Sequence, residues 1–391
     1  MRLKTIFAYL FIFIICVSCE SDAQDFISRD SYEVVIDNST TFGILKDSPS
    51  LFPLEKTVIL GQTQKYEGGS SFASLCKKTK DNYLVVATGY GKYDDFAFSE
   101  LIDVDIDVNT KKCADESLFQ ENIAKIQTGG NSLLKIDNET ILSFFFAKES
   151  TKSIDIYMKK SIDNGLTWSS PRIISTIKNA YQHIANNRAI SLTNGRIILP
   201  MAIGGTGTSN YVFCYYSDNF GDTWSSTKMF KTVNNSLYEP CVEELSNGRL
   251  IMTLRNSSGK IIFGFSNDDG ITWTDFVKSN LNSPDAPSTI GKIPGKDWLL
   301  LIWNNNDRIF DYHFRSPLSL AVSKDEGKSW IYLFDIENKP NIGAYYPTMN
   351  FTEDKLLITY TQKNTGEMKS SVIFSEILIS SLEELMSKKI N

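Results

Sequence analysis

The sequence predicts an all-β fold, a six-bladed β-propeller, and two observations lead to it. The octapeptide Ser-x-Asp-x-Gly-x-Thr/Ser-Trp begins at Ser161, Ser217, Ser266 and Ser323, with Asn219 in place of the aspartate in the second copy. Its starts are 56, 49 and 57 residues apart, which is close to the length of one four-stranded blade. Aromatic residues make up 12% of the 391-residue chain, and such residues favour strands.

Each octapeptide is expected to close a hairpin. Its aspartate, as at Asp163, can accept main-chain N–H bonds within a tight turn, and its glycine, as at Gly165, can take a positive φ. Its tryptophan, as at Trp168, can pack beneath a neighbouring strand. Asn219 suits the second copy because asparagine can keep the same turn. The four copies therefore mark four of the blades.

Residues 30–391 are expected to form one propeller domain of six blade-like segments. The first segment, at about 70–115, has no octapeptide. The sixth begins near Tyr345, and an N-terminal strand such as Glu33–Ile36 is expected to complete its sheet and close the ring. Near the end of the chain, Leu382–Lys388 predicts a short surface helix.

The N-terminus predicts export. Two basic residues precede an apolar run from Ile6 to Val17, which is too short for a membrane span and typical of a signal peptide over residues 1–18. The pair Ser18-Cys19 resembles a bacterial lipobox, so Cys19 is expected to become a lipidated N-terminus followed by a tether over residues 19–29. We therefore expect a bacterial membrane lipoprotein, periplasmic or on the cell surface. Secretion with Cys19 removed is the alternative.

Composition narrows the chemistry. The net charge of −6 offers no basic surface for a phosphate backbone, so nucleic acid is not an expected partner. Only two histidines are present, His183 and His313, and no cysteine pair has metal-ligand spacing. No cofactor or metal is therefore expected. The four cysteines that follow Cys19 are expected to be small buried side chains: Cys76, Cys113, Cys214 and Cys241. A Cys76–Cys113 disulfide is the alternative.

The octapeptides resemble the Asp-boxes of the sialidase (neuraminidase) superfamily, in which they lie on the outer rim of the blades. The segment from Glu239 to Leu250, followed by Arg255, is similar to the fourth blade of bacterial sialidases. This resemblance implies that Glu239 activates the nucleophile and that Arg255 binds the substrate carboxylate. Arg315, eight residues before the box at Ser323, matches another arginine of that family. The stretch around Tyr346 matches the start of the sixth blade, so Tyr346, in preference to Tyr345, is implied as the nucleophile.

A tyrosine–glutamate pair suits an acidic sugar. Sialic acid carries a carboxylate on its anomeric carbon, which would repel a carboxylate nucleophile, whereas a tyrosine hydroxyl is neutral. A glutamate can take the phenolic proton, and guanidinium groups can hold the substrate carboxylate through bidentate bonds. A general acid must still protonate the leaving oxygen. Asp95, in preference to Asp94, lies about as far beyond the start of the first blade as the acid of that family, so the resemblance implies this role for it.

The first blade departs from the family pattern. Where the family begins with Arg-Ile-Pro, this chain has Ser71-Phe72-Ala73, so one arginine of the carboxylate clamp is missing. Arg188, at the start of the third blade, is the candidate for the missing cation. The resemblance implies an exported exo-glycosidase, similar to exo-α-sialidases, that releases terminal acidic sugars from glycoconjugates by a retaining mechanism. The missing arginine leaves two alternatives: a non-catalytic glycan-binding lipoprotein, and a glycosidase or lyase for another uronic or deoxy sugar.

Overall fold

The computed structural model describes most of the chain beyond its N-terminal segment. The described residues are 27, 31–39, 41–46, 52–204, 210–232, 236–308 and 315–390. The expected signal peptide, Cys19 and all of the expected tether except residue 27 lie outside the described residues, as does His313.

The described strands form six sheets, numbered here in chain order. Four short strands come before them: β1 (Ser31–Glu33), β2 (Ile36–Asn38), β3 (Ile44–Lys46) and β4 (Thr57–Leu60). The first sheet contains β5 (Gly69–Lys77), β6 (Asn82–Tyr90), β7 (Ser99–Asp107), β8 (Lys112–Cys113) and β9 (Ser117–Gln120). The second contains β10 (Gln127–Lys135), β11 (Ile141–Ser150), β12 (Ser153–Ser161) and β13 (Arg172–Ile173).

The other four sheets follow in the same way. The third contains β14 (Gln182–His183), β15 (Ile190–Ser191), β16 (Ile197–Ile203), β17 (Tyr211–Ser217), β18 (Ser225–Ser226) and β19 (Met229–Lys231). The fourth contains β20 (Leu237–Glu244), β21 (Leu250–Asn256), β22 (Lys260–Ser266) and β23 (Thr274–Asn282). The fifth contains β24 (Thr289–Lys292), β25 (Leu299–Asn304), β26 (Leu318–Ser323) and β27 (Ser329–Glu337). The sixth contains β28 (Ile342–Phe351), β29 (Lys355–Asn364) and β30 (Ser371–Leu378).

Each of the four N-terminal strands joins a later sheet. Strand β1 pairs in parallel with β19, β2 with β23 and β3 with β27. Strand β4 pairs antiparallel with β30 and extends the sixth sheet. An N-terminal strand therefore does join the sixth sheet, but it is Thr57–Leu60. The expected segment Glu33–Ile36 is wrong in this role, because there the chain passes along the edges of the third and fourth sheets and pairs with them.

The hydrophobic core of the described residues is divided among clusters that each join two neighbouring sheets. Ile141 of the second sheet packs with Leu84 of the first, for example, and Leu75 of the first sheet packs with Leu357 of the sixth. The sheets therefore follow one another around a closed ring. Their first strands contact one another near the axis: β5 contacts β10 and β28, and β24 contacts β20 and β28. The chain is an all-β propeller, and that expectation is confirmed.

The octapeptides close hairpins in the second to fifth sheets. In the first copy Thr167 N donates to Asp163 Oδ1 at 2.9 Å, and Gly165 has a φ of +79°. In the second copy Thr223 N donates to Asn219 Oδ1 at 2.9 Å, so asparagine keeps the turn as expected. The tryptophans of the third and fourth copies are fully buried. The predicted hairpin geometry is confirmed in all four copies.

The chain continues from β30 into helix α1 (Ile379–Ile390), which confirms the helix predicted there. Leu382 and Met386, four residues apart on one helix face, are buried in the cluster shared by the fifth and sixth sheets. No helix in the described part of the chain is long and apolar enough to cross a membrane.

The four described cysteines are free. Cys76, Cys214 and Cys241 are buried, as expected, whereas Cys113 is exposed in β8. The alternative Cys76–Cys113 disulfide is therefore not formed.

Candidate active site

The side chains of the site are aimed by β-bulges near the beginnings of the inner strands. The pairing register shifts between Tyr238 and Cys241 in β20 and between Tyr345 and Thr348 in β28. Inside these bulges Glu239 has a φ of +36° and Tyr346 a φ of +53°. A bulge redirects a side chain out of the regular alternation of a strand, so both side chains reach the cavity at the axis.

Both bulged residues are followed by proline, Pro240 and Pro347. Proline has no main-chain N–H, so the ladder loses no donor at the point where the strand leaves its register. Positive φ at residues as large as glutamate and tyrosine is strained, and such strain concentrates at functional sites. The same conformation occurs at Phe72, with a φ of +55°, in the bulge of β5.

Tyr346, Glu239, Arg255 and Asp285 form a continuous hydrogen-bonded chain. Tyr346 Oη donates to Glu239 Oε1 at 2.9 Å, and Arg255 Nη1 donates to the other oxygen of the same carboxylate at 2.8 Å. Arg255 Nε donates to Asp285 Oδ1 at 2.6 Å. One guanidinium therefore lies between two carboxylates, and one of those carboxylates also holds the phenol.

Arg315 joins this group from the loop before β26. Its Nη2 donates to the main-chain oxygen of Asp285 at 3.1 Å. Its guanidinium lies 5.3 Å from the ring centre of Tyr345 and 5.8 Å from that of Tyr346, within the range of a cation–π contact. The structure thus brings together four of the residues predicted from the sequence: Glu239, Arg255, Arg315 and Tyr346.

The electrostatics of the pair set its protonation. Burial raises the pKa of Tyr346 far above its ordinary value, and the neighbouring Glu239 charge raises it further. Burial also disfavours the charged form of Glu239, but the guanidinium of Arg255, with Arg315 and the Tyr346 hydroxyl, outweighs it and lowers the pKa of that carboxyl. At neutral pH the tyrosine is therefore a neutral phenol hydrogen-bonded to an ionised carboxylate, the state in which Glu239 can accept its proton.

The cavity has two lobes. We call the first the nucleophile lobe: it has a volume of about 490 Å³ and is lined by residues that include Tyr346, Arg255 and Arg315. The second, which we call the side lobe, has a volume of about 720 Å³ and is lined by residues that include Lys148 and His183. Phe72, Tyr90, Asp95 and Arg255 line both lobes, so the two are adjacent. Within the described ranges, no three His, Cys, Asp or Glu side chains are grouped to hold a metal ion.

Asp95, the predicted general acid, lies on the exposed loop between β6 and β7 and lines both lobes. Its main-chain oxygen accepts a hydrogen bond from Lys148 Nζ at 2.7 Å and another from Gln127 Nε2. Asp94 lines only the nucleophile lobe of the two, and its carboxylate accepts the main-chain N–H of Phe96 at 2.7 Å. Asp95 therefore lies in the cavity wall, whereas the Asp94 carboxylate stabilises the turn of the loop.

Arg188 does not join the site, so the prediction that it binds the substrate is wrong. It is 1% exposed and lines neither lobe. Its Nη1 donates to Thr289 Oγ1 at 3.1 Å, in the first strand of the fifth sheet. Because the residue before it, Asn187, has a φ of +52°, the chain turns there and the arginine side chain is enclosed between inner strands.

Phe72 and Tyr345 were not expected to line the cavity. Phe72 lies in the stretch Ser71-Phe72-Ala73, where the family pattern has Arg-Ile-Pro, and its ring centre lies 4.0 Å from that of Tyr346. In a regular strand the neighbours Tyr345 and Tyr346 would point to opposite faces, but both line the nucleophile lobe because the bulge breaks the alternation. Tyr345 Oη is 2.7 Å from Tyr93 Oη, a hydrogen bond that ties β28 to the loop carrying Asp95.

Asp285 and Lys148 are the site residues that sequence reasoning missed. Asp285 lies shortly before β24, and Glu239 lies near the beginning of β20. That shared position, an ionisable residue at the start of an inner strand, is the signal that could have found it. Lys148 lies near the end of β11 and has no comparable signal.

Known proteins resemble this chain in sequence and in fold. Residues 113–358, more than half of the chain, match the family model described as a BNR repeat-like domain. A sialidase of Bacteroides fragilis is 27% identical over 216 residues, which cover 49% of this chain and 39% of that protein. An anhydrosialidase of Macrobdella decora is 26% identical over 242 residues, which cover 57% of this chain and 31% of that protein. The match thus spans well under half the length of either relative.

Solved structures show a similar fold. Trypanosoma rangeli sialidase in complex with sialic acid superposes with a TM-score of 0.67 at 17% identity, covering 87% of this chain and 61% of that one. A protein of unknown function from Dyadobacter fermentans superposes with a TM-score of 0.65 at 18% identity, covering 82% of this chain and 97% of that one. At these identities the likeness concerns the fold alone. By the match over residues 113–358, the chain belongs to the family of BNR repeat-like domain proteins.

Proposed function

We propose that this protein is a retaining exo-glycosidase that releases terminal acidic sugars, with sialic acid as the first candidate. The hydrogen bond of 2.9 Å from Tyr346 Oη to Glu239 Oε1 is the observation that carries the proposal. A protein that only binds glycans has no need for a buried base beside a buried phenol. The names of the curated relatives, a sialidase and an anhydrosialidase, support the same reaction class.

In the first step Tyr346 Oη attacks the anomeric carbon while Glu239 accepts the phenolic proton. The bond from the anomeric carbon to the leaving oxygen breaks, and Asp95 supplies a proton to that oxygen. In the second step water attacks the same carbon and the bond from that carbon to Tyr346 Oη breaks, while Asp95 takes the proton of the water and Glu239 returns its proton to Tyr346. Two displacements at one carbon give retention of configuration.

The neutral phenol explains the preference for an acidic sugar. A carboxylate nucleophile would be repelled by a carboxylate on the anomeric carbon, and a phenol is not. Arg315 lies 5.8 Å from the ring centre of Tyr346, and Arg255 bonds the Glu239 carboxylate that holds the Tyr346 hydroxyl, so both are groups that would hold the sugar carboxylate.

The test compares the protein with Tyr346→Phe on a fluorogenic α-sialoside. We expect release by the unaltered protein and a loss of about 10³-fold or more in the variant, because the nucleophile is removed and the buried ring is kept. Thermal unfolding should change little, since only one hydroxyl is deleted. Equal release by both proteins would overturn the assignment of Tyr346.

The aromatic wall at the first blade supports a second candidate, a non-catalytic glycan-binding propeller. The stretch Ser71-Phe72-Ala73 lacks the arginine of the family pattern, and Phe72 lies against Tyr346 at 4.0 Å between ring centres. The same difference suits a glycosidase or lyase for another uronic or deoxy sugar. Binding of a sialylated glycan without release would favour the binder. Release from uronosides or deoxy glycosides, but not from sialosides, would favour the other enzyme.

The number of blades and the export of the chain are also proposals. We infer that each of the six sheets is one blade, which makes the ring six-bladed and sialidase-like. From the sequence of residues 1–29 we also propose export and lipid attachment at Cys19. Palmitate labelling of the expressed protein tests the second point: label should be incorporated by the unaltered chain and lost in Cys19→Ser. Labelling of both forms would contradict it.

A further inference from the structure

The loop that carries Asp95, residues 91–98 between β6 and β7, is attached to the propeller at few points. Within the loop, Phe96 N donates to Asp94 Oδ1 at 2.7 Å and Gly91 N donates to Phe98 O at 3.0 Å. These bonds shape the loop but do not connect Asp95 to another sheet. The side chains of Asp94, Asp95 and Phe96 are exposed.

The hydrogen bonds from the loop to the second sheet meet at a single atom, the main-chain oxygen of Asp95. It accepts hydrogen bonds from Lys148 Nζ at 2.7 Å and from Gln127 Nε2. Gln127 and Lys148 are direct cross-strand partners in β10 and β11, so the two donors come from one rigid site. Gln127 is held in turn, since its Oε1 accepts a bond from Ser99 Oγ at 3.2 Å.

Lys148 is an unusual residue to find in this place. It is 4% exposed, and its ammonium lies 4.8 Å from the ring centre of Phe96, 5.7 Å from that of Phe146 and 5.2 Å from that of Tyr181. Burial of an ammonium is costly, and aromatic faces offset part of that cost. Burial lowers the pKa of Lys148, while the charges of Asp95 and Asp94 oppose the shift.

Three aromatic rings and a carbonyl fix the direction of this lysine, and two of its four partners, Phe96 and the Asp95 carbonyl, belong to the loop. A charge-assisted bond is stronger than a neutral one, so the loop is held at the residue that faces both lobes. Without the ammonium, the loop would keep its internal turn and the Tyr93–Tyr345 bond to β28, but the Asp95 oxygen would keep only the bond from Gln127.

We propose that Lys148 is a positioning residue, which holds the Asp95 loop across the cavity and thereby places the Asp95 carboxyl at the leaving oxygen. The proposal rests on the proposed function for the role of Asp95, but the contacts that define it do not. It has two consequences. Loss of Lys148 should release the loop, and it should slow only reactions that need the acid.

The first experiment measures leaving-group dependence with Lys148→Met, Lys148→Arg and Asp95→Asn. Each variant is assayed on two α-sialosides of the same sugar, one with an acidic phenol and one with an alkyl alcohol as the leaving group. General acid catalysis contributes typically 10²–10⁴-fold, so in kcat/KM, which reports the first step alone, Lys148→Met should lose about tenfold or more on the alkyl sialoside and little on the aryl one. Asp95→Asn should show the same split, Lys148→Arg should retain most of the activity, and the double variant should resemble Asp95→Asn alone.

Equal losses on the two substrates would overturn the proposal, and so would unchanged activity on the alkyl sialoside. A purely structural role would lower both rates together. If the unaltered protein cleaves neither substrate, the proposed function fails, and the second experiment decides the role of Lys148 on its own.

The second experiment is hydrogen exchange, which needs no activity. Peptides that cover residues 93–98 should exchange about tenfold faster in Lys148→Met than in the unaltered protein, while Lys148→Arg stays near the unaltered rate. Peptides from β22 and β26, in the fourth and fifth sheets, serve as the internal control for an intact fold and should not change. An unchanged loop in Lys148→Met would show that Lys148 does not hold it. Faster exchange throughout the protein would show that Lys148 supports the whole fold, which also contradicts the proposal.

Discussion

The octapeptide turns, which we call the outer turns, and the bulges near the axis, which we call the axial bulges, both contain residues with positive φ. They differ in how the surrounding side chains stabilise that conformation. In the octapeptide turns two successive residues have positive φ, as at Asn164 (+58°) and Gly165 (+79°), and side chains hydrogen-bond the turn directly. In the axial bulges single large residues, Glu239 and Tyr346, have positive φ, and their side chains bond one another across the cavity. The turns are stabilised by hydrogen bonds among their own residues, whereas the bulges are stabilised by the sheets around them.

The difference explains why one region repeats and the other does not. A turn that stabilises itself needs the same residues in every copy, so the octapeptide is visible four times in the sequence. A bulge that is held from outside needs only the backbone conformation, so Phe72, Glu239 and Tyr346 share it without sharing a residue type. The freedom to vary the side chain at one repeated backbone position is what lets a symmetric ring hold an asymmetric set of groups.

The largest effect is expected from a substitution that changes the axial region alone. Glu239→Gln keeps the shape of the side chain and removes the base, so turnover should fall about 10²–10⁴-fold. Thermal unfolding should change far less, because the amide can still accept from Tyr346 and because Arg255 keeps its bond to Asp285. Steady-state kinetics on a sialoside and a thermal melt measure the two quantities.

Glu243→Gln is the matched control, because Glu243 lies on the same strand four residues later. It lines a separate cavity at the other end of the inner strands, and its Oε2 accepts the main-chain N–H of Lys292 at 3.1 Å. Burial raises the pKa of Glu243 to about 7, so near neutrality much of it is already uncharged. Its amide variant should keep nearly full activity. A comparable loss in both variants would mean that Glu239 acts through the strand and not through its carboxylate.

The sequence could predict what local chemistry determines. The octapeptide turns form as expected, and Glu239, Arg255, Arg315 and Tyr346 do meet, because each is placed by its distance from a repeated element. It failed where the position depends on which strands pair. Arg188 lies close in sequence to a strand start but is enclosed against Thr289, more than a hundred residues away.

The positions of Tyr345 and of the strand that completes the sixth sheet both depend on pairing. Pro347 signals an irregularity in its strand but not which side chains are redirected, and the bulge turns two consecutive tyrosines into the same cavity. Likewise Glu33–Ile36 and Thr57–Leu60 are both short and apolar, and only tertiary pairing selects the second for the sixth sheet. Lys148 was missed because its function lies in its surroundings of three rings and a carbonyl, which come from separate strands and loops.

A smaller effect is expected where the outer turns are broken alone. Asp268→Ala removes the acceptor of Thr272 N (2.9 Å) and Thr272 Oγ1 (2.6 Å), so the free energy of unfolding should fall by about 1–2 kcal/mol, as for the loss of a helix cap. Activity per folded molecule should not change, because the turn lies far along the strand from the cavity. Asp268→Asn is the matched control and should change the free energy of unfolding by less than about 0.5 kcal/mol. Asn219 makes the same main-chain bond at 2.9 Å. A loss of activity in Asp268→Ala at unchanged stability would contradict the division between the two regions.

The smallest effect separates charge from geometry within the turns. A hydrogen bond from the Thr167 hydroxyl, with one from its main-chain N–H, lowers the pKa of Asp163 from 3.8 to about 2. Because the folded-state pKa lies below the unfolded one, this carboxylate contributes stability that is fully present above about pH 4 and is lost as the pH falls towards 2. Asp163→Asn removes that titration and keeps the acceptor of the Thr167 N–H, so its melting temperature should fall less steeply between pH 4 and pH 2 than that of the unaltered protein. The two should converge at the acid end of the range. Parallel curves would mean that the turn is held by its hydrogen-bond geometry alone, and that the asparagine of the second copy and the aspartates of the others are equivalent at every pH.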